Sequence, residues 1–156
     1  SALKKIKSIK LIEKNVVNGI KNVINNTNLI GRWQIVKTQP KVVYDVAHNI
    51  DSLQIVFNQI KNTKGKIRIV FGTLDKTDQL DCLKIFPKKH EYYFCAPKTK
   101  RAMSLNKLCK KAKELKINFS SHSSVKNAYH TAFMNSKNDD TVLVTGSKYL
   151  FSEINN

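Results

Sequence analysis

Four short segments concentrate the side chains that could do chemistry. Asp45-Val46-Ala47-His48-Asn49 packs a carboxylate, an imidazole and an amide into five residues, directly after the apolar run Val42-Val43-Tyr44. Gly72-Thr73-Leu74-Asp75-Lys76-Thr77-Asp78 follows a run ending at Phe71, Pro97-Lys98-Thr99-Lys100-Arg101-Ala102 follows Cys95, and Gly146-Ser147-Lys148 follows Thr145. Together they offer acid, imidazole, several cations, and glycines that allow close backbone approach. Such a set suits a ligand bearing phosphate or carboxylate groups. Each segment also has a plainer reading. Asn49 or Asp51 could cap a helix, His48 could be a surface side chain, the glycines could relieve turn geometry, and Asp75-Lys76 could be a solvated turn. The Asp45–Asn49 cluster gains weight from the Gly31-Arg32 element just upstream.

The elements that must position these segments alternate. Ile9 to Thr27 carries apolar residues at helical spacing and reads as a helix ended by Asn25, Asn26 and Asn28. Trp33 to Thr38 reads as a strand, and Pro40 breaks the chain after it. Strands are then expected at Lys41–Tyr44, Lys66–Phe71, Glu91–Cys95, Ile117–Ser121 and Thr141–Thr145. Helices are expected at Ile50–Asn62, Thr77–Phe86, Ser104–Leu115 (with Ser104 as cap), Ser124–Ser136 and Lys148–Ile154. This pattern predicts an α/β fold, a Rossmann-like three-layer sandwich with a mostly parallel sheet and helices on both faces. The Trp33 strand precedes the alternation and is expected antiparallel at an edge. Continuous Val, Ile and Leu runs fit strands buried on both sides. If the sheet is parallel, all four segments lie beyond the carboxyl ends of strands, where open α/β sheets bind ligands. Residues 1–30 read as a helical lead-in and 31–156 as the α/β domain.

Composition narrows the classes. The chain has 156 residues, 41 % of them hydrophobic, enough for one domain with a real core. No run reaches the roughly eighteen apolar residues of a membrane span, and the start has no apolar signal core. Beginning at Ser1, the chain reads as processed or as a fragment. Cys82, Cys95 and Cys109 are scattered without metal-ligand spacing, which points to reduced thiols in the cytoplasm. His90, His122 and His130 fit no metal-ligand spacing either. The net charge of +17 favours anionic partners. The lysines are spread along the whole chain with no nucleic-acid signature beside them, so nucleic acid is not expected as a partner.

Neither usual phosphate cradle is present. There is no Gly-x-x-x-x-Gly-Lys-[Ser/Thr], since Gly65-Lys66 lacks the upstream glycine, and no Gly-x-Gly-x-x-Gly. An ATP-using enzyme would need that part from elsewhere.

The motifs resemble, in order, those of the C-terminal domain of folylpolyglutamate synthase/dihydrofolate synthase, a Mur ligase superfamily enzyme. Gly31-Arg32 resembles its Gly-Arg element, and Asp45-Val-Ala-His48-Asn49 its Asp-x-Ala-His-Asn. Val70-Phe71-Gly72 with Asp75-Lys76-Thr-Asp78 resembles its Phe-Gly…Asp-Lys-Asp segment. Arg101-Ala102 resembles its Arg-Ala, and Thr145-Gly146-Ser147-Lys-Tyr149 its closing Thr-Gly-Ser-x-Tyr. Val46 and Ile50 stand where the family often has Gly and Pro, which touches loop shape rather than chemistry.

The resemblance implies one domain of a ligase that uses ATP and Mg2+ to activate a folate carboxylate as an acyl phosphate, which the amine of L-glutamate then attacks. It implies the N-terminal and central ATPase domains of the same polypeptide as partners, and a monomer. It assigns ATP binding to Arg32, Asp45, His48 and Asn49, with Asp45 taking the ribose from a carboxylate facing the crevice. It places Lys76 and Ser147 on the glutamate side, Lys76 and His48 as catalytic, and no metal ligand or stably bound cofactor on this domain alone. The isolated domain is expected to be inactive. The alternatives are a basic α/β module binding nucleic acid, another amino-acid-adding Mur-type ligase, and a structural module without a ligand.

Overall fold

The β-branched and aromatic runs become the strands of one sheet. The computed structural model describes residues 12–27, 29–77 and 79–155. In chain order these form α1 (Glu13–Lys21), α2 (Val23–Thr27), β1 (Gln34–Thr38), β2 (Lys41–Asp45), α3 (Ile50–Ile60), β3 (Ile67–Phe71), a 3-10 helix (Gln79–Ile85), β4 (Glu91–Phe94), α4 (Leu105–Glu114), β5 (Phe119–Ser121), α5 (Val125–Met134), β6 (Thr141–Thr145) and α6 (Tyr149–Asn155). The strand order is β1-β2-β6-β3-β4-β5. Among the described strands only β1 is antiparallel, paired to β2 at the sheet edge, as its place before the alternation led one to expect.

Every residue of β3 and β6 is buried, because helices cover both faces of these inner strands. Val43, Ile69, Phe71, Phe94 and Leu143 face one layer, with α3, the 3-10 helix and α4. Val42, Tyr44, Val70, Val142 and Val144 face the other, with α5 and α6. The period-two alternation of strand side chains thus splits each apolar run between two cores.

Arg68 interrupts the β3 run and is 5 % exposed. Its Nη1 donates to Asp140 at 2.7 Å, and its Nε lies 3.2 Å from Glu91 as an ion pair. Asp140 also accepts the backbone N–H groups of Lys66 and Lys137, at 2.7 and 2.9 Å. Burial alone would raise the Asp140 carboxyl, but these backbone bonds and the guanidinium outweigh it and hold it below its ordinary range.

Three local expectations need correction. Of the single helix expected from Ile9 to Thr27, residues 9–11 lie outside the described residues, and the remainder breaks at Asn22 into α1 and α2. The Asn22 side chain bonds the carbonyl of Asn18 at 3.0 Å, competing with helix continuation. The α-helix expected over Thr77–Phe86 is a tighter 3-10 helix starting at Gln79, and Pro87 limits its length. Ser104 precedes α4 without a side-chain cap bond, whereas Ser124 caps α5 by accepting the Asn127 N–H at 3.1 Å.

Candidate active site

The carboxyl ends of β2, β6 and β3 are adjacent in the sheet, and α3 and α6 leave from β2 and β6 to opposite faces. A crevice opens at such a reversal. Backbone bonds lace its rim together. Val46 donates to Gly31 O at 2.9 Å, and Asp45 accepts Trp33 N–H at 2.8 Å on Oδ2 and Ala47 N–H at 2.9 Å on Oδ1. Gly31 has φ +78°, and a Cβ there would lie 2.4 Å from the Phe151 ring, so only glycine lets the segment close on α6. That closure carries Arg32 to the cleft. Gly146 N–H and the Thr145 hydroxyl both bond Ala47 O, at 2.9 and 3.1 Å, tying β6 to the same rim. From the β4 side, Met103 N–H bonds Thr73 O at 2.9 Å and Asp75 N–H bonds Arg101 O at 2.8 Å, which brings Arg101 in.

The cleft has a volume of about 420 Å³. Arg32, Lys76, Arg101 and Lys148 line it, and no carboxylate does among the described residues. Asp75 is instead paired with Lys107 at 2.9 Å. Leu29, Ile30, Leu74 and Tyr149 supply apolar wall. The arrangement is a partly apolar slot with convergent positive charge, suited to an organic anion. It does not suit a divalent cation. Among the described residues no group of three His, Cys, Asp or Glu comes together, and the residues present do not fit Mg2+.

His48 is held on three sides. Its N–H meets Ser52 Oγ at 3.2 Å, its carbonyl accepts from Gln79 Nε2, and its Nδ1 lies 2.9 Å from Val46 O. A carbonyl only accepts, so Nδ1 is the donor in this contact, and in the neutral imidazole the acceptor is then Nε2. Cys82 leans on the same His48 carbonyl at 3.8 Å, and burial raises its thiol, leaving it a protonated packing group rather than a nucleophile.

The chain matches the model of the Mur ligase, glutamate ligase domain, over residues 31–148. The chain belongs to the Mur ligase family. It is 34 % identical over 142 residues to the dihydrofolate synthase/folylpolyglutamate synthase of Buchnera aphidicola subsp. Acyrthosiphon pisum, covering 86 % of this chain and 33 % of the relative. It superposes on Escherichia coli FolC in complex with DHPP and ADP with TM-score 0.73 and 31 % identity, covering 94 % of this chain and 34 % of that one. A bifunctional folylpolyglutamate synthase/dihydrofolate synthase with Mn, AMPPNP and L-glutamate bound gives TM-score 0.74 at 28 % identity, again over 94 % of this chain and 34 % of that one. The chain therefore spans about a third of the length of these proteins.

The resemblance read from the motifs is thus borne out, as is the sheet it implied. In this Mur ligase domain Arg32, His48, Lys76 and Ser147 share one cleft. Asp45 and Asn49 do not line it. The Asp45 carboxylate is 9 % exposed and turns back to the two backbone N–H groups, because the chain curls after β2 and leaves those donors otherwise unmet. Asn49 caps α3, accepting Ser52 N–H at 2.9 Å in a reciprocal capping box, the plainer of its two sequence readings. Arg101 and Lys148 were legible only as loop cations. Gln79 went unnoticed, and nothing in its sequence neighbourhood signals it.

Proposed function

We propose that the chain is the C-terminal domain of an ATP-dependent ligase that joins L-glutamate to a folate carboxylate. The observation that carries this reading is the cleft lined by four cations without a described carboxylate, at the carboxyl ends of the inner strands. The names of its relatives and the nucleotide and glutamate in the neighbouring structures support it.

The reaction runs in two transfers. A folate carboxylate oxygen bonds to the γ-phosphorus of ATP and ADP departs, leaving an acyl phosphate. The glutamate amine nitrogen then bonds to the acyl carbon, inorganic phosphate leaves with the bonding electron pair, and the nitrogen gives up a proton. Negative charge accumulates in both transfers, so positioned cations lower the barrier.

Arg32 reaches the nucleotide from the Gly31 loop. Asp45 serves the nucleotide indirectly by shaping that loop, its carboxylate being engaged by the Trp33 and Ala47 N–H groups. His48 and Asn49 belong to the same nucleotide-facing turn. Lys76 and Ser147 meet the glutamate. The ATPase part and the Mg2+ site belong to the rest of the polypeptide, for which residues 1–30 serve as lead-in, and the family match beginning at residue 31 supports that boundary. The enzyme is a cytoplasmic monomer; its three cysteines are free thiols, as a reducing compartment keeps them.

The test is glutamate addition assayed with the full-length protein and with residues 1–156 alone. Ligation that needs ATP in the first and is missing in the second is the expected result. Ligation by the fragment alone overturns the division of labour. Binding of nucleic acid with a steep log–log salt dependence, and no ligation, would favour the basic-module alternative.

A further inference from the structure

Gln79 is a buried polar side chain, 7 % exposed, on the wall of the cleft. Its position ties two loops together. Its backbone N–H closes the turn containing Lys76 by donating to Lys76 O at 3.2 Å. Its side-chain amide crosses to the other loop and donates to the carbonyl of His48, 31 residues away in sequence. A buried glutamine pays desolvation unless its amide is used, so the contact fixes both partners. Ser52 holds the His48 N–H and Val46 O fixes the Nδ1 proton. With the carbonyl also bound, the Val46–His48 turn is held at three points, and the exposed imidazole borders the cleft.

The cleft needs such an acceptor. Its described charged lining is cationic, which suits the carboxylates of glutamate but repels its ammonium group. A neutral acceptor at the border is the group that can take the N–H of the incoming amine. We propose that Gln79 is a positioning residue that holds the His48 turn so that Val46 O keeps its contact with Nδ1 and Nε2 faces the amine of the amino-acid substrate, in register with Lys76. The role of Nε2 rests on the proposed function above, whereas the clamp rests on geometry alone.

The test uses full-length protein labelled with 15N-histidine and two variants, Gln79→Met and Gln79→Glu. Methionine conserves volume and removes the donor, and glutamate keeps the shape but sets an acceptor against the His48 carbonyl. Nitrogen shifts report the tautomer, and steady-state kinetics with varied glutamate and ATP report function. The expected result is loss of the single Nδ1-protonated signature of His48 in both variants. With it, kcat falls roughly ten- to a hundredfold, as for a misplaced catalytic group, while Gln79→Met melts near the wild type. An unchanged His48 signature with unchanged kcat in a folded Gln79→Met protein overturns the proposal. A changed signature in a protein that ligates no glutamate even as wild type supports the clamp and overturns the functional reading instead.

Discussion

The Asp45 carboxylate accepts the Trp33 N–H at 2.8 Å, pinning a residue whose backbone is left-handed, φ +48°, to the end of the neighbouring strand. A left-handed conformation costs a non-glycine residue about 1–2 kcal/mol, so the bond to an ionised acceptor, about 1.5–3 kcal/mol, is what holds Trp33 there. Replacing Asp45 by Ala removes this bond and the one to Ala47 together. The expected outcome is a melting temperature several degrees lower and, in the full-length protein, a raised KM for ATP as Arg32 loses its place. Thermal melts beside ATP titrations check it; an unchanged melting temperature would refute the structural half.

Asp140 predicts the response to acid. Its folded carboxyl lies below its ordinary value of 3.8 despite burial. A depressed carboxyl contributes stability that is present above its unfolded value and is lost as pH falls through the folded one. Urea melts from pH 6 downward should therefore lose stability progressively below about pH 4. Asp140→Ala, which leaves the buried Arg68 guanidinium with Glu91 alone and frees the Lys66 and Lys137 N–H groups, should cost about 3–5 kcal/mol at neutral pH and flatten that acid slope.

Lys76 separates binding from folding. It is exposed on the cleft wall, and exposed substitutions rarely change stability by more than about 0.5 kcal/mol. Lys76→Ala in the full-length protein should raise KM for glutamate or lower kcat with an unaltered melting temperature. Wild-type kinetics at limiting glutamate would leave Lys76 as one more solvated lysine.

Gly146 sits at φ +108°, and a Cβ there would come within 2.5 Å of the Gly72 carbonyl and 2.8 Å of the Phe71 ring. Gly146→Ala should cost about 2–4 kcal/mol through backbone strain and overpacking. It should also displace Ser147, so the stability loss and a loss of glutamate use are expected together, read from denaturant melts and kinetics on the same sample.

The residue order alone determined the sheet. Val42-Val43-Tyr44, the run through Phe71 and Thr141–Thr145 are apolar on both alternating faces, and such strands are stable only between two helical layers. With parallel strands, the segments after Tyr44, Phe71 and Thr145 had to emerge on one edge. That placed the segments of His48, Lys76 and Ser147 on one edge; these residues and Arg32 were singled out by the family resemblance, and they share a cleft. What a polar side chain does there was a tertiary decision. Asp45 and Asn49 looked equivalent to His48 along the chain, yet one was taken by backbone donors of Trp33 and Ala47 and the other by the start of α3. Arg68 in an apolar strand and Gln79 at the head of a short helix had no local meaning, because their partners, Asp140 and His48, lie 72 and 31 residues away. Hydrophobic periodicity is written in consecutive residues and survives in one dimension. A hydrogen bond belongs to whichever donor and acceptor the insertion of β6 between β2 and β3 brings within 3 Å, and that adjacency exists only in the folded chain.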